Sequence, residues 1–329
     1  MKKIALIGCT SDKLDGPCPA IEIYTKSSYF NSKLKYCEKI NVDEIFILSA
    51  KYGFLKPDEI IEYYDETLKG KPKDHKIKWT NKVLNDLKEN CDIENDKFVI
   101  LAGNDYTKYL LEHLNNYYNP VKGLGIGSQH NYFNTVSKDN TIGAIDIRND
   151  FKMDNNPGYY KWWASKKEFN LLLDKLDIDF ESIKDSIEIK DKWYCIYVGI
   201  AVKESVHNRL NWHVNDTHSE SKVKHGTLST FRQTLSSILS EDQSDKLATD
   251  NFIDKLIIEY CLFDYPIKSI EAKEEIEAIE KELLQKNLYI LNIKENYHEK
   301  AKPIRKKLTK LRKKGKQNAM EYFEMNKEL

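Results

Sequence analysis

The stretch GYYKWWA (158–164), answered by KWYCIYVGIA (192–201), decides how the second half of this 329-residue chain is read. Both runs are dense in aromatic and β-branched residues, which suit a pleated, half-buried surface, so they read as strands. A helix-like pattern near 165–176 separates them, and helical patterns dominate from 203 to the end. Residues 158–329 are therefore expected to form a small α+β unit ending in a helix rich in lysine and arginine. Upstream, DNTIGAIDIRNDFKMDNNP (139–157) lapses into polar and turn-forming residues. It reads as a linker, with a last strand near 142–147 as the alternative.

The first half has another rhythm. KIALIG (3–8), EIFILSA (44–50) and KFVILAG (97–103) are short apolar runs, each ending at a small residue. Amphipathic stretches near 20–38, 75–91 and 105–117 lie between and after them. Alternation of this kind predicts an α/β unit over 1–138, with a parallel-type sheet and helices on both faces. Ligands of such sheets sit beyond the carboxyl ends of the strands. Those ends carry Cys9 to Lys13, Ser49 to Gly53 and Gly103 to Tyr106, and GLGIGSQHNY (123–132) adds a glycine-rich loop. One pocket is expected there, offering Cys9, Lys13, Ser49, Tyr52, Asp65, Asn104, Gly125 and Gln129.

Composition narrows the classes. The length suggests two domains. Charges balance at 52 against 52, which excludes a polyanion binder acting through bulk charge. The balance hides opposed patches: 300–316 holds ten lysines and arginines and no acid, while 271–282 holds six glutamates against two lysines. Only five of the cations are arginine (148, 209, 232, 305 and 312), so each is a candidate for bidentate work that lysine cannot do. Six scattered cysteines without a CxxC pair point to reduced thiols and a cytoplasmic setting. No run is long enough to span a membrane, and the first residues read as a strand rather than a secretion signal.

With GYY at 158–160 and YVG at 197–199, the second half resembles the GIY-YIG nucleases; Tyr159 replaces the usual isoleucine. Arg209 follows the second strand, His213 lies one helical turn later on the same face, and Asn292 falls twelve residues after Glu280. The resemblance covers roughly 158–300. It implies phosphodiester hydrolysis with a catalytic set of Tyr160, Tyr197, Arg209, His213, Glu280 and Asn292. Glu280 would hold one Mg²⁺ (or Mn²⁺) that keeps most of its waters. Arg209 would grip phosphate oxygens. Tyr160, favoured over Tyr197, would accept the proton of the attacking water, and His213 would take or relay it. Asn292 would orient Glu280 or bind phosphate. Glu277 or Glu282 replaces Glu280 if the helix register differs. Arg232 is a second phosphate ligand in this reading. Lys302, Arg305, Lys306, Lys307, Arg312, Lys313 and Lys314 on the last helix form a footprint for nucleic-acid backbone.

CTSDK (9–13), IYTKSSYF (23–30), SAKYGFLKPDEIIEYYDETL (49–68) and GLGIGSQ (123–129) together resemble an uncharacterised α/β family, DUF6884, over about 1–135. That resemblance brings no activity. On chemistry alone, Tyr52 can stack on a flipped base, Asn104 can pair with its edge, and Asp65 can activate water or stabilise an oxocarbenium-like centre. The combined expectation is a metal-dependent endonuclease of restriction or defence type. Its substrate would be double-stranded, modified DNA, with the first unit recognising or excising a base as a glycosylase would. Analogy makes a homodimer the assembly that cuts both strands. The alternative is a tRNA- or nucleic-acid-modifying or binding protein whose second unit only holds nucleic acid.

Overall fold

The computed structural model describes residues 1–327, which divide into two compact units, Met1–Lys138 and Asp139–Leu329. In the first unit the main strands are β1 (Lys3–Gly8), β2 (Glu44–Ser49), β3 (Gly53–Leu55), β4 (Lys97–Leu101) and β5 (Tyr117–Tyr118). Helices α1 (Ser28–Lys39), α2 (Lys73–Asn90) and α3 (Ile126–Val136) connect and follow them. The sheet order is β3-β2-β1-β4-β5. β2, β1, β4 and β5 run parallel, but β3 turns back antiparallel on β2, so the sheet is mixed rather than purely parallel. Only three residues separate β2 from β3, too few for the crossover that parallel pairing requires. Gly53, at φ +86°, sits at that reversal.

Alternation along the central strand sorts the core. Ile4 and Leu6 pack with Phe46, Phe98 and Ile100 against Trp79, Val83, Leu84 and Leu87 of α2. The opposite residues Ala5 and Ile7 are equally buried. α1 and α3 meet through Tyr36 and Phe133, whose ring centroids lie 5.2 Å apart. Two expectations fail in this unit. The glycine-rich run 123–132 is no loop beyond Gly125: it caps and begins α3. No long helix occupies 105–117, only Asn104–Thr107 and a 3₁₀ turn at Leu111–His113.

The second unit opens with β6 (Thr141–Gly143) and α4 (Ala144–Arg148), then β7 (Gly158–Ser165), α5 (Lys166–Leu176), β8 (Ile189–Lys190) and β9 (Trp193–Ala201). There follow α6 (Val206–Asn215), α7 (Glu220–His225), α8 (Thr230–Leu239), α9 (Lys246–Ile253), β10 (Ile257–Leu262), α10 (Ile270–Lys286) and α11 (Ala301–Met325). The antiparallel sheet has the order β8-β9-β7-β10-β6. The linker reading of 139–157 is thus corrected. Thr141–Gly143 pairs with Ile257–Glu259, and a segment bonded into a sheet is part of the fold. The partner β10 was hidden in a region read as wholly helical, because a six-residue apolar run carries no clear period. Among the described residues no helix is long and apolar enough to cross a membrane.

α11, the expected basic helix, is also part of the core. Its Ala301, Ile304, Leu308, Gly315 and Ala319 are buried along one face. A Cβ on Gly315 would stand 2.6 Å from Ser237 Oγ, so α11 lies directly on α8.

Asn292 has a structural task. Val198 N–H donates to its Oδ1 (3.0 Å), and its Nδ2 donates to Val198 O (2.8 Å), while Leu291 N–H donates to Ile196 O. The segment after α10 thereby closes the free edge of β9, where unpaired backbone groups would otherwise remain. The amide oxygen and one amide N–H thus serve Val198, a structural task beside the expected one of orienting Glu280 or binding phosphate. Asn292→Ala leaves two buried backbone groups unpaired and should lower the unfolding free energy by about 1–3 kcal/mol per group. Urea denaturation measures that loss.

Candidate functional site

The site of the second unit grows from a flaw in the β7–β9 ladder. Cys195 stands opposite Trp163, but Tyr197 stands opposite Trp162, so one extra residue sits in β9 between them. Such a bulge switches which residues share a face. Past it, Gly199 opposes Tyr160, whereas an unbroken register would put Gly199 opposite Tyr159. The switch matters because the Tyr160 ring fills the space a side chain at 199 would need. A Cβ there would lie 2.6 Å from the Tyr160 hydroxyl. At the other motif glycine, Gly158, a Cβ would stand 1.9 Å from the Cys261 carbonyl of β10. Both glycines are dictated by close approach rather than by turn geometry.

Tyr160 is almost fully buried, and its hydroxyl is hydrogen-bonded to His213 Nε2 at 2.7 Å. The other ring nitrogen meets Ser229 Oγ at 2.6 Å. Burial first, then the fields of Arg209 and Arg232, hold His213 at about 3, so the imidazole is neutral at neutral pH. Burial holds Tyr160 well above the usual phenol range, with Tyr197, Glu280 and Glu204 raising it further and Arg209 opposing. Tyr197, two positions from Gly199, is more open to solvent. Burial and Glu280 push it to about 12, against Arg209 and Arg312. These couplings place Tyr160, Tyr197, Arg209, His213 and Glu280 in one electrostatic neighbourhood.

Arg209 spends Nη2 on Glu204 (2.7 Å) and sits 5.1 Å from the centre of the Trp212 ring. Its Nε is buried without a hydrogen-bond partner. A donor left open in this way is unusual and suits an anion not held by the protein itself. Glu280, half-buried on α10, is raised to about 7 by burial and by the carboxylates of Glu295 and Glu277. The neighbouring Glu277 and Glu282 are exposed, which leaves Glu280 as the acid of that helix aimed at the site. Among the described residues no cluster of three or more His, Cys, Asp or Glu side chains is placed to hold a metal ion. A cation here would have Glu280 as its ligand, in the added negative field of Glu295 and Glu277, and would keep most of its waters, a coordination Mg²⁺ favours.

Arg232 does not belong to a phosphate-binding set. It is completely buried, and its Nε donates to His218, Nη1 to the carbonyls of His213 and Val214, and Nη2 to Asp250. Arg232 instead fixes the end of α6 that carries His213. On α11, Lys302, Lys306, Lys313 and Lys314 are exposed, and Lys314 pairs with Glu241. Lys307 lies 3.6 Å from Asp177, and Arg305 donates to Asn296 O at 3.4 Å. Lys302, Arg305 and Lys306 line a recess of about 630 Å³ with Asn296 and His298. Arg312 departs from the group. It turns inward, donates to Gln233 Oε1, and acts on Tyr197.

In the first unit the expected pocket comes together only in part. Ser49 Oγ donates to Tyr64 Oη (2.8 Å), and Tyr64 is bonded to Tyr24 (2.7 Å). Cys9 Sγ meets Tyr106 Oη at 3.2 Å, the Lys13 ammonium lies 4.3 Å above the Tyr64 ring, and the Tyr52 ring meets Tyr64 edge-on. Tyr24, Tyr64 and Lys33 were missed from sequence because tyrosines and lysines give no periodic signal of a site, and Tyr106 was placed at a strand end but given no role. Asn104 is exposed at the start of its short helix, and Gly125 only caps α3. Gln129 is held by Tyr29 and by its own bond to Leu124 O. Asp65 is exposed, outside the buried cluster. Excision chemistry centred on Asp65 therefore finds no support.

The two units define a chain with a nuclease-type site built on an antiparallel sheet and a separate mixed α/β unit. Residues 158–314 match the family model of the GIY-YIG catalytic domain, and residues 4–135 match that of a family of unknown function, DUF6884. No curated protein and no solved structure is significantly similar to the chain. A GIY-YIG catalytic domain implies an endonuclease with DNA as its substrate, and nucleases of this kind are generally dependent on a divalent metal.

Gly199→Ala tests the seat of Tyr160. The added methyl would force the ring off His213 at an overpacking cost of about 1–3 kcal/mol. Cleavage should fall more than about tenfold in protein that remains folded by circular dichroism.

Proposed function

We propose that the chain is a Mg²⁺- or Mn²⁺-dependent endonuclease of double-stranded DNA. The observation that carries this reading is the Tyr160–His213 hydrogen bond of 2.7 Å beside a buried, unpartnered Arg209 Nε and an acid raised to about 7. Tyr160 accepts the proton of the attacking water while its own proton passes to His213 Nε2. Arg209 takes a non-bridging phosphate oxygen on its free Nε–H. That contact also favours the relay: burial, then Arg209, depresses His213, and a phosphate on Arg209 cancels part of the second contribution, so the imidazole becomes more basic when substrate is present. Glu280 holds the divalent ion, which when bound supplies charge compensation at the phosphate and the leaving 3′ oxygen. Exposed Lys302, Lys306 and Lys313 on α11 follow the DNA backbone.

The first unit selects the substrate in this reading, recognising a modified base, and the whole serves restriction or defence in the cytoplasm. Six free thiols are consistent with that compartment. Nothing in the pocket assigns the first unit a chemistry of its own.

A cleavage assay on unmodified and base-modified phage DNA, with Mg²⁺ and with EDTA, tests the reading. Glu280→Gln keeps the shape and removes the charge. It should lower metal-dependent cleavage by about 10²–10³-fold while DNA binding persists. Normal cleavage by this variant, or cleavage in EDTA, contradicts the assignment, and preferred cutting of tRNA moves the substrate to RNA.

The raised acid also sets a pH dependence. Folded Glu280 releases its proton near pH 7 instead of 4.5, so at low metal concentration cleavage should rise between about pH 6 and 8. More metal should move that rise to lower pH, because cation and proton compete for the same carboxylate. The sign for stability is opposite. The contribution of this group is full below the unfolded value and is lost as pH rises through about 7, so Glu280→Gln should stabilise the metal-free protein at pH 8. Thermal melts of both proteins at pH 5 and pH 8 decide it.

A further inference from the structure

Two lysines of the first unit are buried without an acid. Lys13 is 5% exposed and Lys33 is 3% exposed. Lys33, on α1, reaches Gly8 O at the end of β1 over 3.4 Å and lies 4.2 Å above the Tyr29 ring. Lys13, in the loop after β1, reaches only Ser11 O, again at 3.4 Å, and lies above Tyr64. Among the described residues no carboxylate pairs with either ammonium. Asp12 and Asp65, their nearest acids in sequence to Lys13 and Tyr64, are exposed. Lysines are almost never buried unless paired, and an unpaired ammonium out of water is costly. Each has spent one of its three N–H groups, on a long bond, and its remaining contact is with an aromatic face.

Their position adds direction. The chain leaves β1, forms β2 on one side, then crosses to β4 on the other, so the crevice at the carboxyl ends of β1 and β4 is a topological switch point. Cys9 and Tyr106, from the loops after those two strands, meet across it. Gly8 allows the approach, since a Cβ there would lie 3.0 Å from Ala102 Cβ. A third ammonium, Lys51, stands 5.1 Å from the Tyr52 ring and 6.0 Å from Tyr64 at the rim.

We propose that this crevice binds a phosphate group, with Lys13 and Lys33 supplying the buried charge and Lys51 closing the rim. Two or three cations with no internal anion match the charge of about −1.5 to −2 on a phosphomonoester better than a carboxylate. Burial holds Lys33 down at about 8, and an anion beside it would restore the charged form. The phosphate comes from a free nucleotide or from the 5′-phosphorylated end of a DNA strand, with the partly exposed Tyr52 ring at hand for a base in either case. The site is independent of the cleavage chemistry of the second unit and of how that unit reads its substrate.

The test uses the full chain with inorganic phosphate as probe, against chloride at equal ionic strength. Phosphate should raise the melting temperature of the wild type above its value in chloride. Lys33→Met should melt at the same or a higher temperature in chloride, because an uncompensated charge is gone, and should gain nothing from phosphate. Lys13→Met serves as the second variant should Lys33→Met fail to fold. A wild type that responds equally to phosphate and chloride overturns the proposal whatever the variants do. So does a Lys33→Met protein that melts lower in chloride yet keeps the full phosphate response, which would make the lysine a packing element. A 5′-mononucleotide that stabilises where a short 5′-phosphorylated oligonucleotide does not, with the effect lost in Lys33→Met, identifies a free nucleotide as the source; the reverse identifies the strand.

Discussion

The hydroxyl of Tyr160 against His213, with the tyrosine ring lying over Gly199, is the contact around which the second unit is arranged. It requires three things at once. β9 must carry an extra residue before Tyr197 so that a glycine, not a side chain, faces the ring. α6 must hold His213 at fixed depth, which Arg232 does from below through the carbonyls of His213 and Val214. Ser229 must occupy the far nitrogen, and its own N–H is bound by Asp216. A buried polar pair is stable only when each member is satisfied, so these supports are conditions of the contact rather than additions to it.

The same burial sets the electrostatic state. Removal from water drives the phenols up, the imidazole down and Glu280 up, so the two phenols and the imidazole are neutral in the ground state. A site of that kind does not stabilise itself; it is completed by an anion and a cation brought together. In the proposed reading, phosphate and divalent metal would be that pair. Each raises the affinity for the other, because each removes the unfavourable field that the other would meet alone.

How far sequence reading reached follows from what each residue touches. β1, β2, β4, β7 and β9 were legible because apolar runs bounded by small residues are local signals. β6 was legible only as an alternative to a linker, and β10 was not, because its pairing with β7 and with β6 is purely long-range. Tyr160, His213, Arg209 and Glu280 could be named because their motifs resemble those of the GIY-YIG nucleases, and the fold does gather them. Asn292 and Arg232 could not be distinguished from their neighbours' chemistry: an amide can bind phosphate or a strand edge, and a guanidinium can bind phosphate or carbonyls. Only depth decides, and in both cases depth assigns the side chain to the backbone.

Scarce arginine gives the last step. In a chain that uses lysine for nearly every positive charge, the arginines stand where several donors in one plane are needed. Arg148 pairs with Asp254 and Asp250, Arg232 binds four groups, and Arg209 pairs with Glu204 and keeps one donor open. Arg312 extends the rule to the last helix. It is drawn in far enough that burial lowers its basicity, it donates to Gln233 on α8, and its charge acts on Tyr197. Gly315, one turn on, lets the two helices touch. α11 is thus two surfaces in one: exposed lysines directed to solvent, and an inner face whose half-buried Arg312 contributes to the potential at Tyr197. A basic helix that only attracted DNA would not need that inner charge. Through it, the docking of α11 on α8 becomes part of what sets the state of the site.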